Sequence, residues 1–115
     1  MIILVDKINH IIGFKMYYKI DIQALASYIR HHDVAYQDNK GYYNISYGED
    51  DGCAIFFASK ISSMKEVTVV DRNDMLSTPY RRLAESAAPN DLLILAEPFL
   101  FRFSEEEARH FLIDG

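Results

Sequence analysis

The sequence predicts an α+β fold, a mostly antiparallel sheet of about five or six strands with two or three helices packed on it. Three observations lead there. Several short segments alternate apolar and polar residues with a period of two, as a half-covered strand requires. Between them lie stretches whose apolar residues recur every three or four positions, the spacing of one helix face. Capping residues and a proline stand where those helical stretches begin. At 115 residues the chain reads as one domain, 1–115, long enough to bury roughly two-thirds of its unfolded surface without a disulfide or metal.

Taken in order, Ile12, Phe14, Met16, Tyr18 and Ile20 alternate with Gly13, Lys15, Tyr17 and Lys19, which predicts a strand over Ile11–Ile20 with Met1–Val5 as its hairpin partner. Asp21 is placed to cap a helix from Ile22, whose face is Ile22, Leu25, Ala26 and Ile29, ending near Asp33. Val34–Gly41 reads as a polar connection. Tyr42–Tyr47 alternates again, and the loop Gly48–Gly52 turns it into Cys53–Ala58, a continuously apolar run expected to be a central strand. The valines of Lys65–Asp71 predict a further strand.

Thr78-Pro79 marks the start of a helix through about Ala87 that presents Tyr80, Leu83, Ala84 and Ala87, and Pro89 ends it. Leu92–Ala96 is a buried strand and Phe99–Phe103 a short one. Ser104 and Glu107 form a capping box that opens a last helix burying Ala108, Phe111 and Leu112.

Composition narrows the function. The net charge of −5 argues against direct nucleic-acid binding, which draws on basic patches that release phosphate counterions. The excess is uneven: residues 1–60 hold 6 Lys/Arg and 7 Asp/Glu, residues 61–115 hold 6 and 10. No apolar run approaches membrane-spanning length, and Met1–Val5 is too short for a signal peptide. The single cysteine, Cys53, reads as a small buried hydrophobe and fits a cytoplasmic location.

The stretch Tyr28-Ile29-Arg30-His31-His32-Asp33 is where chemistry would be sought first. On a helix, adjacent side chains point about 100° apart, so His31 and His32 are poorly placed to chelate one ion. Helical zinc pairs use positions i and i+4, and Ala35 and Tyr36 stand there instead. The other histidines, His10 and His110, are remote in sequence. The segment is therefore expected to be a helix C-terminus, where basic side chains interact well with the dipole. No Gly-rich phosphate loop and no nucleophile–base signature is visible, and neither metal nor cofactor is expected.

What departs from a bland expectation is tyrosine and negative charge. Of eight tyrosines, seven fall between Tyr17 and Tyr47, and strand alternation requires some of them to face outward. The candidate partner-binding residues are Tyr17, Tyr42 and Tyr43 with the acids Glu49, Asp50 and Asp51. Exposed tyrosine gives large contact area at low entropic cost, and acids complement a basic surface. The expected function is a non-catalytic acidic binding protein that occludes a basic surface of a partner protein. The foremost example is a bacterial immunity protein against a nuclease toxin. A phage anti-defence inhibitor is the alternative, and a small enzyme using His31, His32 and Asp33 is the second.

Overall fold

The computed structural model describes residues 18–46 and 52–114. In chain order these form β1 (Tyr18–Ile20), α1 (Ile22–His31), β2 (Val34–Asp38), β3 (Tyr43–Ser46), α2 (Gly52–Ser62), β4 (Thr68–Val70), α3 (Arg72–Met75), α4 (Arg81–Ser86), β5 (Leu92–Ala96), β6 (Phe99–Phe103), α5 (Glu105–Ala108) and β7 (Leu112–Asp114). This is the α+β class. Five strands make one antiparallel sheet in the order β3-β2-β6-β5-β4, and β1 pairs with β7 in a separate antiparallel ribbon.

Register explains why β5 and β6 are apolar at almost every position. Residues directly opposite in antiparallel pairs share a face, so Tyr36, Phe101, Ile94 and Val69 form one cross-sheet row. Gln37, Leu100, Leu95 and Thr68 form the next row, on the opposite face. The first face packs under Leu25, Ile29, Phe57 and Ile61 of α1 and α2. The second meets Met75, Tyr80, Leu83 and Ala84 around α3 and α4. A sheet covered on both sides needs apolar residues at successive positions, which Leu92–Ala96 and Phe99–Phe103 supply.

Several sequence expectations hold at the level of single bonds. The Asp21 carboxylate accepts from the Ala24 N–H at 3.0 Å and starts α1. Ser104 and Glu107 bond each other's backbone N–H groups, at 3.1 and 2.8 Å, closing the capping box.

Others are corrected. Val34–Gly41 is not a connection: Val34–Asp38 is β2, an interior strand between β3 and β6. Its polar look came from Gln37, which is only 1% exposed. The Gln37 amide donates to the Pro79 carbonyl at 2.6 Å and accepts from the Leu83 N–H at 2.7 Å, tying α4 to the sheet. β2 then turns into β3 through Asp38, whose carboxylate accepts from the N–H groups of Lys40 and Tyr42. Gly41, at φ +90°, takes the left-handed step of that turn.

Cys53–Ala58 is not a central strand but lies in α2. Ala54, Phe57, Ala58 and Ile61 are its buried residues, at helical spacing. Accordingly β3 pairs with β2 rather than with this segment, and Cys53 is exposed rather than a core residue. Thr78-Pro79 does not open α4, which starts at Arg81. The Thr78 hydroxyl instead donates to the Met75 carbonyl at 2.7 Å and accepts from the Tyr80 N–H at 3.1 Å. The last helix is a single turn, Glu105–Ala108. Phe111 is still buried, but Leu112 enters β7 and pairs with Ile20. The proposed pairing of Met1–Val5 with Ile11–Ile20 lies outside the described residues except for Tyr18–Ile20.

Candidate functional site

The C-terminal end of α1 gathers more chemistry than its sequence announces. His32 stacks on the Tyr28 ring, with centroids 3.9 Å apart and planes within 8°. Its Nδ1 lies 3.1 Å from the Tyr28 carbonyl, and the His31 Nδ1 lies 2.8 Å from the Ser27 carbonyl. A carbonyl oxygen only accepts, so each imidazole donates through Nδ1 and closes the helix end. Asp33 follows, exposed, outside the helix.

The Tyr28 hydroxyl donates to Glu107 at 2.8 Å. Burial, then the hydrogen bond and charge of Glu107, push that hydroxyl well above its ordinary range, so it stays protonated at neutral pH.

His110 joins this group, its ring 5.2 Å from Tyr28 and 6.2 Å from His32. Sequence separation hid it. The Asp21 N–H donates to the Phe111 carbonyl at 2.8 Å, and β7 pairs with β1, which together draw residues 110–114 alongside α1. No pattern within residues 104–114 signals that approach. Among the described residues, no group of three or more His, Cys, Asp or Glu is placed to hold a metal ion.

Two shallow hollows adjoin here. One, of about 320 Å³, is lined by Tyr28, His31, His32 and His110. The other, of about 470 Å³, runs between α1 and α2 and is lined by residues such as Gln23, Ala26, Arg30, Ile55 and Ser59. Ser27 and His31 border both. The helices are antiparallel, since the Gln23 side chain near the start of α1 donates to the Ser62 carbonyl at the end of α2, at 3.1 Å.

A second feature lies at the end of the sheet where β5 turns into β6. Tyr42 is 64% exposed and Phe56, on α2, is 50% exposed. The Asp38 N–H donates to the Tyr42 carbonyl at 3.3 Å, which continues the β2–β3 register by one step. Tyr42 therefore falls in the row of Asp38 and Phe99. The Phe56 ring stands 6.4 Å from Phe99, edge to face, and the Lys60 ammonium lies 6.0 Å over Phe56. On the other face, Tyr43 is half-buried against the cluster of Tyr80 and Leu83. Tyr17, Glu49, Asp50 and Asp51 lie outside the described residues.

The chain matches no protein-family model, no curated protein and no solved structure. Ile55 and Phe56 reach the surface because this all-apolar run is a helix rather than the expected strand. Their signal was present in the helical spacing of Ala54, Phe57, Ala58 and Ile61.

Proposed function

We propose that this chain is a non-catalytic binding protein that works in the cytoplasm by covering a basic surface of a partner protein. The foremost case is a bacterial immunity protein that occludes the nucleic-acid cleft of a nuclease toxin. A phage protein that blocks a host defence enzyme would use the same chemistry. One observation carries the reading: Tyr42 and Phe56, two large aromatics left more than 40% exposed, share one face at the Phe99 end of the sheet. Exposed aromatics that are not needed for the core are the usual anchors of protein interfaces. The acids Glu49, Asp50 and Asp51 lie in sequence between β3, just after Tyr42, and α2, which carries Phe56. Acids that lie in sequence between the two anchors suit a basic partner, steering its approach while the rings hold it.

The enzyme reading draws less support. His31 and His32 each hold a carbonyl of their own helix through Nδ1, which leaves such chemistry only their Nε2 atoms, and Asp33 lies exposed outside the helix.

The test uses the full chain as bait in native lysate, beside a Tyr42→Ala, Phe56→Ser variant. The expected result is a basic protein captured by the wild type and lost with the variant, whose nuclease or defence activity falls to background on adding one equivalent of wild type. The reading fails if the captured protein is retained by the variant, or if its activity survives an excess of the wild type.

A further inference from the structure

The five-stranded sheet has two edges, β3 and β4, and they are not alike. β4 is three residues long and bracketed by charges, Lys65 and Glu66 just before it and Asp71 and Arg72 directly after. Short length and charged flanks are the usual protection of an edge against further pairing. β3 (YNIS) carries neither charge nor proline. Among the described residues, no strand pairs with its outer side.

The direction of its backbone groups follows from the register. The Asp38 N–H bonds the Tyr42 carbonyl, so Tyr42, Asn44 and Ser46 turn their backbone groups toward β2. Alternation then turns the N–H and C=O of Tyr43 and Ile45 outward, to the open edge. Side chains leave that edge reachable from both faces. Asn44 and Ser46 are exposed on the side of α1 and α2, and Ile45 is 45% exposed on the side of α3 and α4.

We infer that β3 pairs with β3 of a second copy of this chain, antiparallel, about a two-fold axis through Asn44. The occupant follows from self-complementarity. Hydrogen bonding needs outward groups opposite outward groups. With Asn44 facing its own counterpart, Tyr43 falls opposite Ile45 of the second copy and Ile45 opposite its Tyr43, and each pair exchanges two backbone bonds. This register pairs every residue from Tyr42 to Ser46. It sets the exposed Ile45 beside a tyrosine ring on the same face, a favourable cross-strand pair of β-branched and aromatic residues. No charge meets a like charge along the strand, which matters in a chain of net charge −5. A two-fold contact uses up this edge in both copies and leaves only the guarded β4 edges, so assembly closes at two. The inference stands on the strand edge and does not depend on the reading given for Tyr42 and Phe56.

The experiment is sedimentation equilibrium of the full chain, joined to amide exchange. A pairing of this size makes a weak dimer, so the expected result is monomer at about 1 μM and dimer at about 1 mM. The amides of Tyr43 and Ile45 should gain protection as concentration rises. Asn44→Lys and Asn44→Glu each bring like charges face to face on the axis and should weaken dimerisation by about fivefold at low salt. Mixed in equal amounts, the two variants should pair with each other at least as tightly as the wild type does with itself. Asn44 is exposed, and unchanged amide spectra away from β3 would show both variants folded. A dimer indifferent to the Asn44 variants, variants that fail to recover on mixing, or assemblies larger than two would overturn the proposal. So would a dimer lost with Phe56→Ser instead, which would place the contact on α2. A wild type still monomeric at the higher concentration would overturn it too, and protected Tyr43 and Ile45 amides in that monomer would give the edge to another segment of the same chain.

Discussion

Gln37→Leu removes a fully buried polar side chain that ties α4 to the sheet. Gln37 is 1% exposed and makes two short bonds, to the Pro79 carbonyl at 2.6 Å and from the Leu83 N–H at 2.7 Å. The two losses are unequal. Pro79 is exposed, so water can replace the bond to its carbonyl, whereas Leu83 is completely buried and its N–H would be stranded. An unsatisfied buried donor costs about 1–3 kcal/mol. Leucine keeps the volume and adds apolar contact, which offsets part of that. The expected net loss is about 2 kcal/mol, or roughly 8 °C in Tm for a domain of this size. Urea unfolding followed by circular dichroism measures it, and an unchanged m-value keeps the comparison two-state. Gln37→Glu sharpens the result. It keeps an acceptor for Leu83 but turns an unprotonated oxygen toward the Pro79 carbonyl and buries a charge. Burial raises the folded pKa of such a carboxyl, so this variant should gain stability relative to wild type as pH falls toward about 4.3, where the unfolded group protonates. A Gln37→Leu variant within 0.5 kcal/mol of wild type, together with a pH-insensitive Gln37→Glu, would show that the amide bridge does not hold α4.

Two further outcomes follow from the hydrogen bonds. Tyr28 and Tyr80 are buried, each donating to a carboxylate at 2.8 Å, and both hydroxyls are pushed up, by burial first and then by Glu107 and Glu97. Their contribution is fully present below the ordinary tyrosine value of 10.0 and is lost above it, as the unfolded chain ionises while the folded one does not. Stability should fall by up to about 1.4 kcal/mol per pH unit for each tyrosine, and Tyr28→Phe, Tyr80→Phe should flatten that slope in denaturation series above pH 10. Ser104→Ala opens the capping box of α5 and should cost about 1 kcal/mol, measured by thermal melting, with Glu106→Ala as a near-silent neighbour.

What was legible in the sequence was local. Asp21 and the Ile22–Ile29 spacing announce α1, and Ser104 and Glu107 announce a helix start, because a cap needs only residues three positions apart. Leu92–Ala96 announces a buried strand by composition and Phe99–Phe103 a short strand, though not that it is buried. What escaped was set by distant partners. Gln37 looks like loop until Pro79 and Leu83, some 42 and 46 positions away, satisfy its amide. His110 enters the Tyr28 group only because β7 lies against β1. Of the candidate interface, Tyr42 and Tyr43 were separable in principle by strand alternation. Which of the two faces outward depended on which side of the sheet α3 and α4 cover, and no residue near Tyr42 encodes that.

The segment Gly52–Ser62 tests the same point most directly, because the two readings of it differ in geometry rather than in hydrophobicity. A short apolar run is compatible with a buried strand or a helix, and only the register of burial separates them. In a strand, Ile55 and Phe57 point to the same side and Phe56 to the other. In α2, Phe57 is buried with Ala54, Ala58 and Ile61, while Ile55 and Phe56 both face out. Phe57 sits among Tyr36, Phe99 and Phe101, with ring centroids 4.3 to 5.7 Å away. Phe57→Ser should therefore cost about 3–5 kcal/mol, the range for emptying a buried aromatic site. Ile55→Ser should change stability by less than about 0.5 kcal/mol, as exposed positions do. Urea midpoints of the two variants decide between the readings. A pair of comparable losses would return the segment to the sheet. A large loss at Phe57 alone would leave Ile55 as a surface residue that the core does not need.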